Sequence, residues 1–175
     1  MSSTKKRVTN RFDSLKKILR RKLEIFEDDE CCENGCCIRC KAPRKFFIGE
    51  KSRVFSKNKL LKNVLSDGQK EICDFVLFTF RNHRVDALFI EFKSNVKPKN
   101  FGKRTIEKAI NQMNSTEKYL NDLCDLKGIS KHYVIVVKND AMLAKQMGKW
   151  IKKLKASPRP KIISCGKDVV SKVLG

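Results

Sequence analysis

Two acidic residues and one lysine stand at the ends of two apolar segments. Asp74 lies near the start of the first segment, and Glu91 and Lys93 lie at the end of the second. Charged side chains next to a nearly unbroken apolar stretch are costly to bury unless they are used. Two carboxylates favour binding of a divalent cation such as Mg²⁺, which can polarise a phosphodiester. An ammonium beside them can orient water or stabilise charge on phosphorus.

The two apolar segments predict a β-hairpin. Ile72–Phe80 and Val85–Phe92 are rich in β-branched and aromatic residues, which are typical of strands. The connection between them contains Asn82 and His83. Asparagine tolerates the left-handed backbone conformation that tight hairpin turns need, so we expect a short turn at this point.

The register of this hairpin decides whether the charged residues meet. If Asn82 and His83 are the two turn residues, Asp74 lies opposite Glu91. Lys93 shares the face of Glu91 because side chains alternate along a strand. Two opposed carboxylates repel each other, and a divalent cation would neutralise them. The sequence therefore predicts one patch with two acids and an amine.

These residues carry a family resemblance. Asp74 within Cys-Asp-Phe-Val-Leu, followed by Glu91-Phe92-Lys93, resembles the PD-(D/E)XK nuclease superfamily. The resemblance implies a restriction-endonuclease-like or Holliday-junction-resolvase-like core of a helix, three strands, a helix and a strand. It also implies that Asp74 and Glu91 bind Mg²⁺ or Mn²⁺ and that Lys93 assists the attacking water. Gln112, on the following helix, resembles a glutamine often found there in such nucleases.

The resemblance covers about residues 70–140 and has departures. Cys73 stands where the family usually has a proline before the aspartate. Members often add an acidic residue from the first helix, and Glu24 is a candidate for that position.

The remaining pattern predicts a mixed α/β architecture. Residues 1–9 are expected to be a flexible basic tail, and residues 10–175 a single nuclease-like domain. The expected order is a helix, a few antiparallel strands, a helix, a strand, a helix and a strand, which gives a mixed sheet flanked by helices. The predicted helices are 10–26, 59–65, 105–123, 141–155 and a short one from residue 167; further strands are predicted at 45–48, 133–137 and 161–164. The helix at 141–155 is expected to be amphipathic, and its apolar side is formed by Leu143, Met147, Trp150, Ile151 and Leu154.

Cysteines are concentrated in one segment. Five of the eight lie within residues 31–40, an insertion after the first helix. Cys32, Cys36, Cys37 and Cys40 have spacings that could supply four thiolates to a structural zinc ion. An iron–sulfur cluster and a set of free or oxidisable thiols are the alternatives. The other three cysteines, Cys73, Cys124 and Cys165, are expected to be small buried apolar residues.

The charge balance points to a polyanionic partner. Forty Lys and Arg stand against nineteen Asp and Glu, giving a net charge of +21. Nucleic acid, DNA more than RNA, is the expected partner, with an anionic membrane surface as the rival. Basic residues after the Glu-x-Lys segment are candidates for phosphate contacts: Lys97, Lys99, Lys103 and Arg104. Phe46, Phe47 and Phe101 are candidates for stacking on bases, with core or loop packing as the ordinary alternative.

Three functions follow as hypotheses. The first is a metal-dependent nuclease, the second a non-catalytic nucleic-acid-binding module, and the third a zinc-dependent regulator based on the cysteine-rich segment. No apolar run is long enough to span a bilayer, and the basic N-terminal residues lack the apolar region of a secretory signal. An intracellular location is expected, cytoplasmic or nuclear, with a viral origin left open. Assembly into a homodimer is also left open.

Overall fold

The computed structural model describes residues 3–49, 72–94, 102–138, 141–154 and 159–175. It contains a central mixed sheet with helices against it. The helices are α1 (Ser3–Arg20), α2 (Lys103–Leu123), α3 (Ala141–Lys153) and α4 (Val169–Leu174). The strands are β1 (Ile25–Phe26), β2 (Glu30–Glu33), β3 (Cys36–Arg39), β4 (Lys45–Gly49), β5 (Phe75–Arg81), β6 (Arg84–Phe92), β7 (Ser130–Val137) and β8 (Lys161–Ser164).

Six of these strands form one sheet in the order β1-β4-β5-β6-β7-β8. The pairs from β1 to β6 are antiparallel, and β6, β7 and β8 are parallel to one another. Parallel neighbours need a crossover connection, and α2 and α3 provide the two crossovers. The expected mixed α/β sheet flanked by helices is therefore confirmed. The predicted helix at 59–65 lies outside the described residues.

The predicted hairpin forms with the predicted register. Phe75 pairs with Ile90, and Arg81 pairs with Arg84 across the turn. Asn82 and His83 have φ angles of 49° and 59°, the left-handed conformation of a two-residue turn.

The sheet separates two apolar cores because its side chains alternate between faces. Helices α1, α2 and α3 cover the first face, which we call the helix face. Its strand residues include Val85, Ala87 and Phe89 of β6. Helix α4 and the small β2–β3 sheet cover the second face, with Leu88 and Ile90 of the same strand beneath them. Both faces of β6 are thus covered, as its continuous apolar sequence indicates.

The N-terminal helix differs from its prediction at both ends. It begins at Ser3, so residues 3–9 of the expected basic tail belong to the helix, and it ends at Arg20 rather than near residue 26. Ile25 and Phe26 instead pair with β4 as a short edge strand. Leu23 is buried although it lies beyond the helix. The prediction failed here because the same apolar spacing continues into a segment that packs as an edge strand.

The cysteine-rich segment forms an antiparallel hairpin, β2–β3, that is covalently tied to the end of the chain. Cys32 and Cys37 are directly opposed and bonded to each other. Cys36 is bonded to Cys165, which follows β8. The expectation that Cys165 is a simple buried apolar residue is therefore wrong, because its sulfur is used in a cross-link. Cys73 and Cys124 are buried free thiols, as expected.

The two disulfides should differ in their contribution to stability. Cys36–Cys165 spans 129 residues and Cys32–Cys37 spans 5. A cross-link that closes a longer loop lowers the entropy of the unfolded chain more. For loops of these two lengths, the difference corresponds to about 3 kcal/mol in the free energy of unfolding. We expect Cys36→Ala/Cys165→Ala to lower the free energy of unfolding of the oxidised protein more than Cys32→Ala/Cys37→Ala does. Urea unfolding with and without reductant measures this, and equal losses for the two variants would contradict it.

Candidate functional site

The two acids predicted to converge do meet at the end of the hairpin away from its turn. The backbone N–H of Asp74 donates to Oε2 of Glu91 at 3.2 Å. The N–H of Phe92 in turn donates to Oδ2 of Asp74 at 2.7 Å. The two carboxylates are therefore fixed by reciprocal hydrogen bonds between the start of β5 and the end of β6. Glu91 is buried, with 2% of its surface exposed.

Lys93 completes the cluster from the residue just after β6. Its Nζ lies 2.5 Å from Oε1 of Glu91 and donates to Oε1 of Gln112 at 3.1 Å. The backbone N–H of Lys93 donates to the carbonyl of Val136 in β7 at 2.8 Å. Four predicted site residues, Asp74, Glu91, Lys93 and Gln112, are thus brought to one place on the helix face.

Helix α2 holds the segment that carries Asp74. Gln112 donates through Nε2 to the carbonyl of Ile72 at 3.3 Å, and the N–H of Cys73 donates to Oγ1 of Thr116 at 2.8 Å. Gln112 and Thr116 are one helical turn apart, so they lie on the same side of α2. Gln112 therefore contacts both Lys93 and the strand entry that precedes Asp74.

The end of β4 packs closely against Asp74. A Cβ atom on Gly49 would lie 2.4 Å from the carbonyl oxygen of Asp74 and 2.7 Å from the ring of Phe75. Any side chain at Gly49 would displace this backbone. A glycine is needed here for close approach of two strands, which fixes the position of the Asp74 peptide.

Burial dominates the electrostatics of Glu91. Desolvation, together with repulsion from Asp74, raises the pKa of Glu91 from 4.5 to about 7, although Lys93 opposes the shift. A carboxyl group in such surroundings is close to the point at which it gains or loses its proton at neutral pH. Glu91 therefore changes between its neutral and its anionic form near neutral pH.

Two of the four basic residues predicted to contact phosphate, and the additional acidic candidate Glu24, lie within the described part of the chain. Lys97 and Lys99 lie outside the described residues. Lys103 and Arg104 are exposed at the start of α2, where Lys103 forms a loose ion pair with Glu107 at 3.5 Å. Glu24 is exposed beyond the end of α1 and lines a small apolar cavity together with Cys73 and Tyr119.

Two of the three aromatic residues considered for base stacking are not available for it, and the third, Phe101, lies outside the described residues. Phe46 and Phe47 are fully buried, on opposite faces of β4. The ring of Phe46 stacks on Phe78, and that of Phe47 stacks on Phe26. Core packing, the alternative explanation, is confirmed for both.

The predicted zinc ligands do not converge in this structure. Cys32 and Cys37 are bonded to each other, Cys36 is bonded to Cys165, and Cys40 is a buried free thiol. Burial raises the pKa of Cys40 to about 11, which favours the neutral thiol over the thiolate that zinc requires. A tetrathiolate zinc site would need these disulfides to be reduced, so zinc binding stays a prediction for the reduced protein.

Sequence reasoning missed a second polar cluster, at the turn end of the hairpin. Asp86 is fully buried on the face opposite Glu91, and its Oδ1 lies 2.9 Å from Nε2 of His132 in β7. Nε of Arg84 lies 3.3 Å from Oδ2 of the same carboxylate. The acidic residue inside the apolar segment Val85–Phe92 was the available signal, because a buried carboxylate needs partners.

Comparisons with protein-family models, curated proteins and solved structures returned no significant match to this chain. The structure shows the fold class, which is a mixed α/β fold with a six-stranded mixed sheet. Within the described residues, every helix is too short or too polar to span a membrane.

The raised pKa of Glu91 predicts a pH dependence of stability. An acid that holds its proton more tightly in the folded state stabilises the fold at low pH, and this contribution is lost as the pH rises through 4.5 toward 7. We expect the wild type to lose about 3 kcal/mol relative to Glu91→Gln between pH 4.5 and pH 8. Urea unfolding of both proteins in the presence of a chelator measures the difference.

The matched control for this comparison is Glu30→Gln, which changes an exposed carboxylate in the β2–β3 hairpin. Subtracting any change that this control shows between the two pH values isolates the contribution of Glu91. A constant difference in the free energy of unfolding between Glu91→Gln and the wild type across the same window would contradict a raised pKa of Glu91 in the folded state.

Proposed function

We propose that this protein is a divalent-metal-dependent nuclease of the PD-(D/E)XK type that hydrolyses phosphodiester bonds in nucleic acid, DNA in preference to RNA. The observation that carries the proposal is the convergence of Asp74, Glu91 and Lys93 at the end of the β5–β6 hairpin, with Gln112 bound to Lys93. The restriction-endonuclease-like core belongs to the same proposal, since the order of helix, strands, helix and strand is compatible with it.

The donor set suits a hard divalent cation. Mg²⁺ prefers carboxylate oxygens together with water and phosphate oxygens, and Asp74 and Glu91 would hold it. The cluster already accommodates one positive group, since Nζ of Lys93 lies 2.5 Å from Glu91. A bound Mg²⁺ or Mn²⁺ would supply Lewis-acid polarisation of the phosphate and a more acidic water.

Each side chain then has a role that its contacts support. Lys93, restrained by Gln112, orients the attacking water and stabilises negative charge that develops on phosphorus. Gln112 is a positioning residue, because it acts on Lys93 and on the strand entry at Ile72 rather than on substrate. Glu91 presents its oxygens from β6 and Asp74 from the residue just before β5, so the sheet, together with the hydrogen bonds of α2 to the preceding segment, holds the two acids in place.

The net charge of +21 supports a polyanionic substrate. Lysine and arginine contacts to phosphate give affinity without sequence information. Lys103 and Arg104 follow the site along the chain and are exposed, so they are available for such contacts.

A non-catalytic nucleic-acid-binding protein is the second candidate, and one observation favours it. Glu91 already has a partner for each oxygen, Lys93 on Oε1 and the N–H of Asp74 on Oε2. A buried ion pair of this kind can be purely structural. In that case the same fold would bind nucleic acid without cutting it.

Cleavage assays separate the two candidates. The full chain would be incubated with labelled single-stranded, duplex and branched DNA, and with RNA, in Mg²⁺, Mn²⁺ or chelator. We expect cleavage only with a divalent ion, and a loss of at least about a hundredfold in rate for Lys93→Ala and Glu91→Gln. Glu30→Gln and Lys172→Ala, which change exposed residues away from the site, should cut like the wild type.

Salt-dependent binding measured on the same variants completes the test. Binding without cleavage under every divalent ion would leave the non-catalytic module as the function. Loss of binding on substitution of cysteines alone, with Lys93→Ala still binding, would favour the regulator based on the cysteine-rich segment.

A further inference from the structure

Helix α3 has a strongly basic outer face. Lys145, Lys149, Lys152 and Lys153 are all exposed on it, and the helix contains no acidic residue. We call these four residues the lysine face. They lie on successive turns, so their positive charge extends along the helix and is not neutralised within it.

The opposite side of α3 is used in the core along the part of the helix whose side chains are described, residues 145–154. Met147, Ile151 and Leu154 are buried in the core on the helix face of the sheet. Trp150 lies at the border between this buried side and the lysine face, with 36% of its surface exposed. Nζ of Lys153 lies 5.6 Å from the centre of its ring. Sequence periodicity had placed Trp150 with the core residues, whereas the structure places it at the surface.

Trp150 is the only tryptophan of the chain, and exposure of such a large aromatic side chain calls for an explanation. Among the described residues, Ile18 is the one other large apolar side chain classed as exposed. An indole ring beside lysines can stack on a planar group while the lysines contact neighbouring negative charges.

The chemistry of α3 favours nucleic acid over a membrane surface. A helix that lies on a bilayer inserts an apolar face between the lipids. Between residues 145 and 154 the apolar face of α3 is already buried against the sheet, and the ring of Trp150 and the four lysines are exposed for a partner. A polyanion with exposed planar groups matches this surface, and unpaired bases are such groups.

We propose that the lysine face and Trp150 bind a single-stranded segment of nucleic acid, with the lysines on phosphates and the Trp150 ring stacked on an unpaired base. Binding at this surface does not require cleavage. The inference rests on the proposed function in one respect, because the bound strand would be the substrate of the nuclease. Helix α3 packs in the same layer as α2, which carries Gln112 of the site. A strand that leaves the site across this layer would therefore meet α3.

The single tryptophan makes the proposal directly measurable. The full chain carrying Glu91→Gln would be titrated in chelator with oligodeoxythymidylate, with a duplex of equal length, and with vesicles containing phosphatidylserine. Trp150 emission should be quenched by the single strand, the quenching should diminish with salt, and the duplex should quench less. A blue shift of the emission with vesicles and no quenching by oligonucleotide would overturn the proposal in favour of a membrane surface.

Variants test the two parts of the surface separately, using the anisotropy of a labelled oligonucleotide. Trp150→Leu keeps an apolar side chain at the border of the helix but removes the stacking ring, and we expect about tenfold weaker binding. Lys149→Ala/Lys152→Ala should weaken binding and reduce its salt dependence. The matched control is Lys167→Ala/Lys172→Ala, which removes two exposed lysines in and just before α4 on the other side of the sheet.

Urea unfolding midpoints would establish that each variant is folded. Wild-type binding by both Trp150→Leu and the α3 lysine variant, or an equal loss in the α4 control, would overturn the proposal. The outcome is independent of catalysis, because binding is measured in chelator. Quenching by single strands together with no cleavage under any divalent ion would remove the nuclease and keep this surface.

Discussion

The site depends on the pairing of β5 with β6, because this pairing places two carboxylates side by side where water is largely excluded. Such an arrangement opposes folding unless the acids are neutralised or hydrogen-bonded. Asp74 and Glu91 are each held by a backbone N–H from the other strand, and Lys93 adds an opposite charge. The pKa of Glu91 is still raised, because these contacts do not fully offset the burial of its negative charge and its repulsion by Asp74. Gly49 and α2 hold the surrounding backbone in place, and the proposed chemistry relies on that rigidity.

Local patterns were sufficient to predict the part of the fold that carries the site. The hairpin register followed from its two turn residues, and Asn82 and His83 adopt the left-handed conformation that the register required. The convergence of Asp74 and Glu91 then followed from this register, and strand alternation placed Lys93 on the same face as Glu91. The family resemblance implied a glutamine on the helix after the motif, and α2 brings Gln112 to Lys93 because the helix crosses back over β6.

Non-local pairings could not be predicted in the same way. The bond between Cys36 and Cys165 joins residues far apart in the sequence, and spacing carries no information on such a pair. The edge strand at Ile25–Phe26 was hidden by apolar spacing that continued from α1. Exposure of Trp150 was missed because a residue at the border of an amphipathic helix fits either side of its pattern, and only the packed neighbours decide.

The parallel pairing of β6 with β7 affects the order in which the site can assemble during synthesis. The β5–β6 pairing that brings the two acids together joins segments that are close in the sequence. The lysine has its anchors in later segments, because its amide partner is Val136 and its side-chain partner is Gln112. The cluster of four side chains is therefore complete only after β7 has been synthesised.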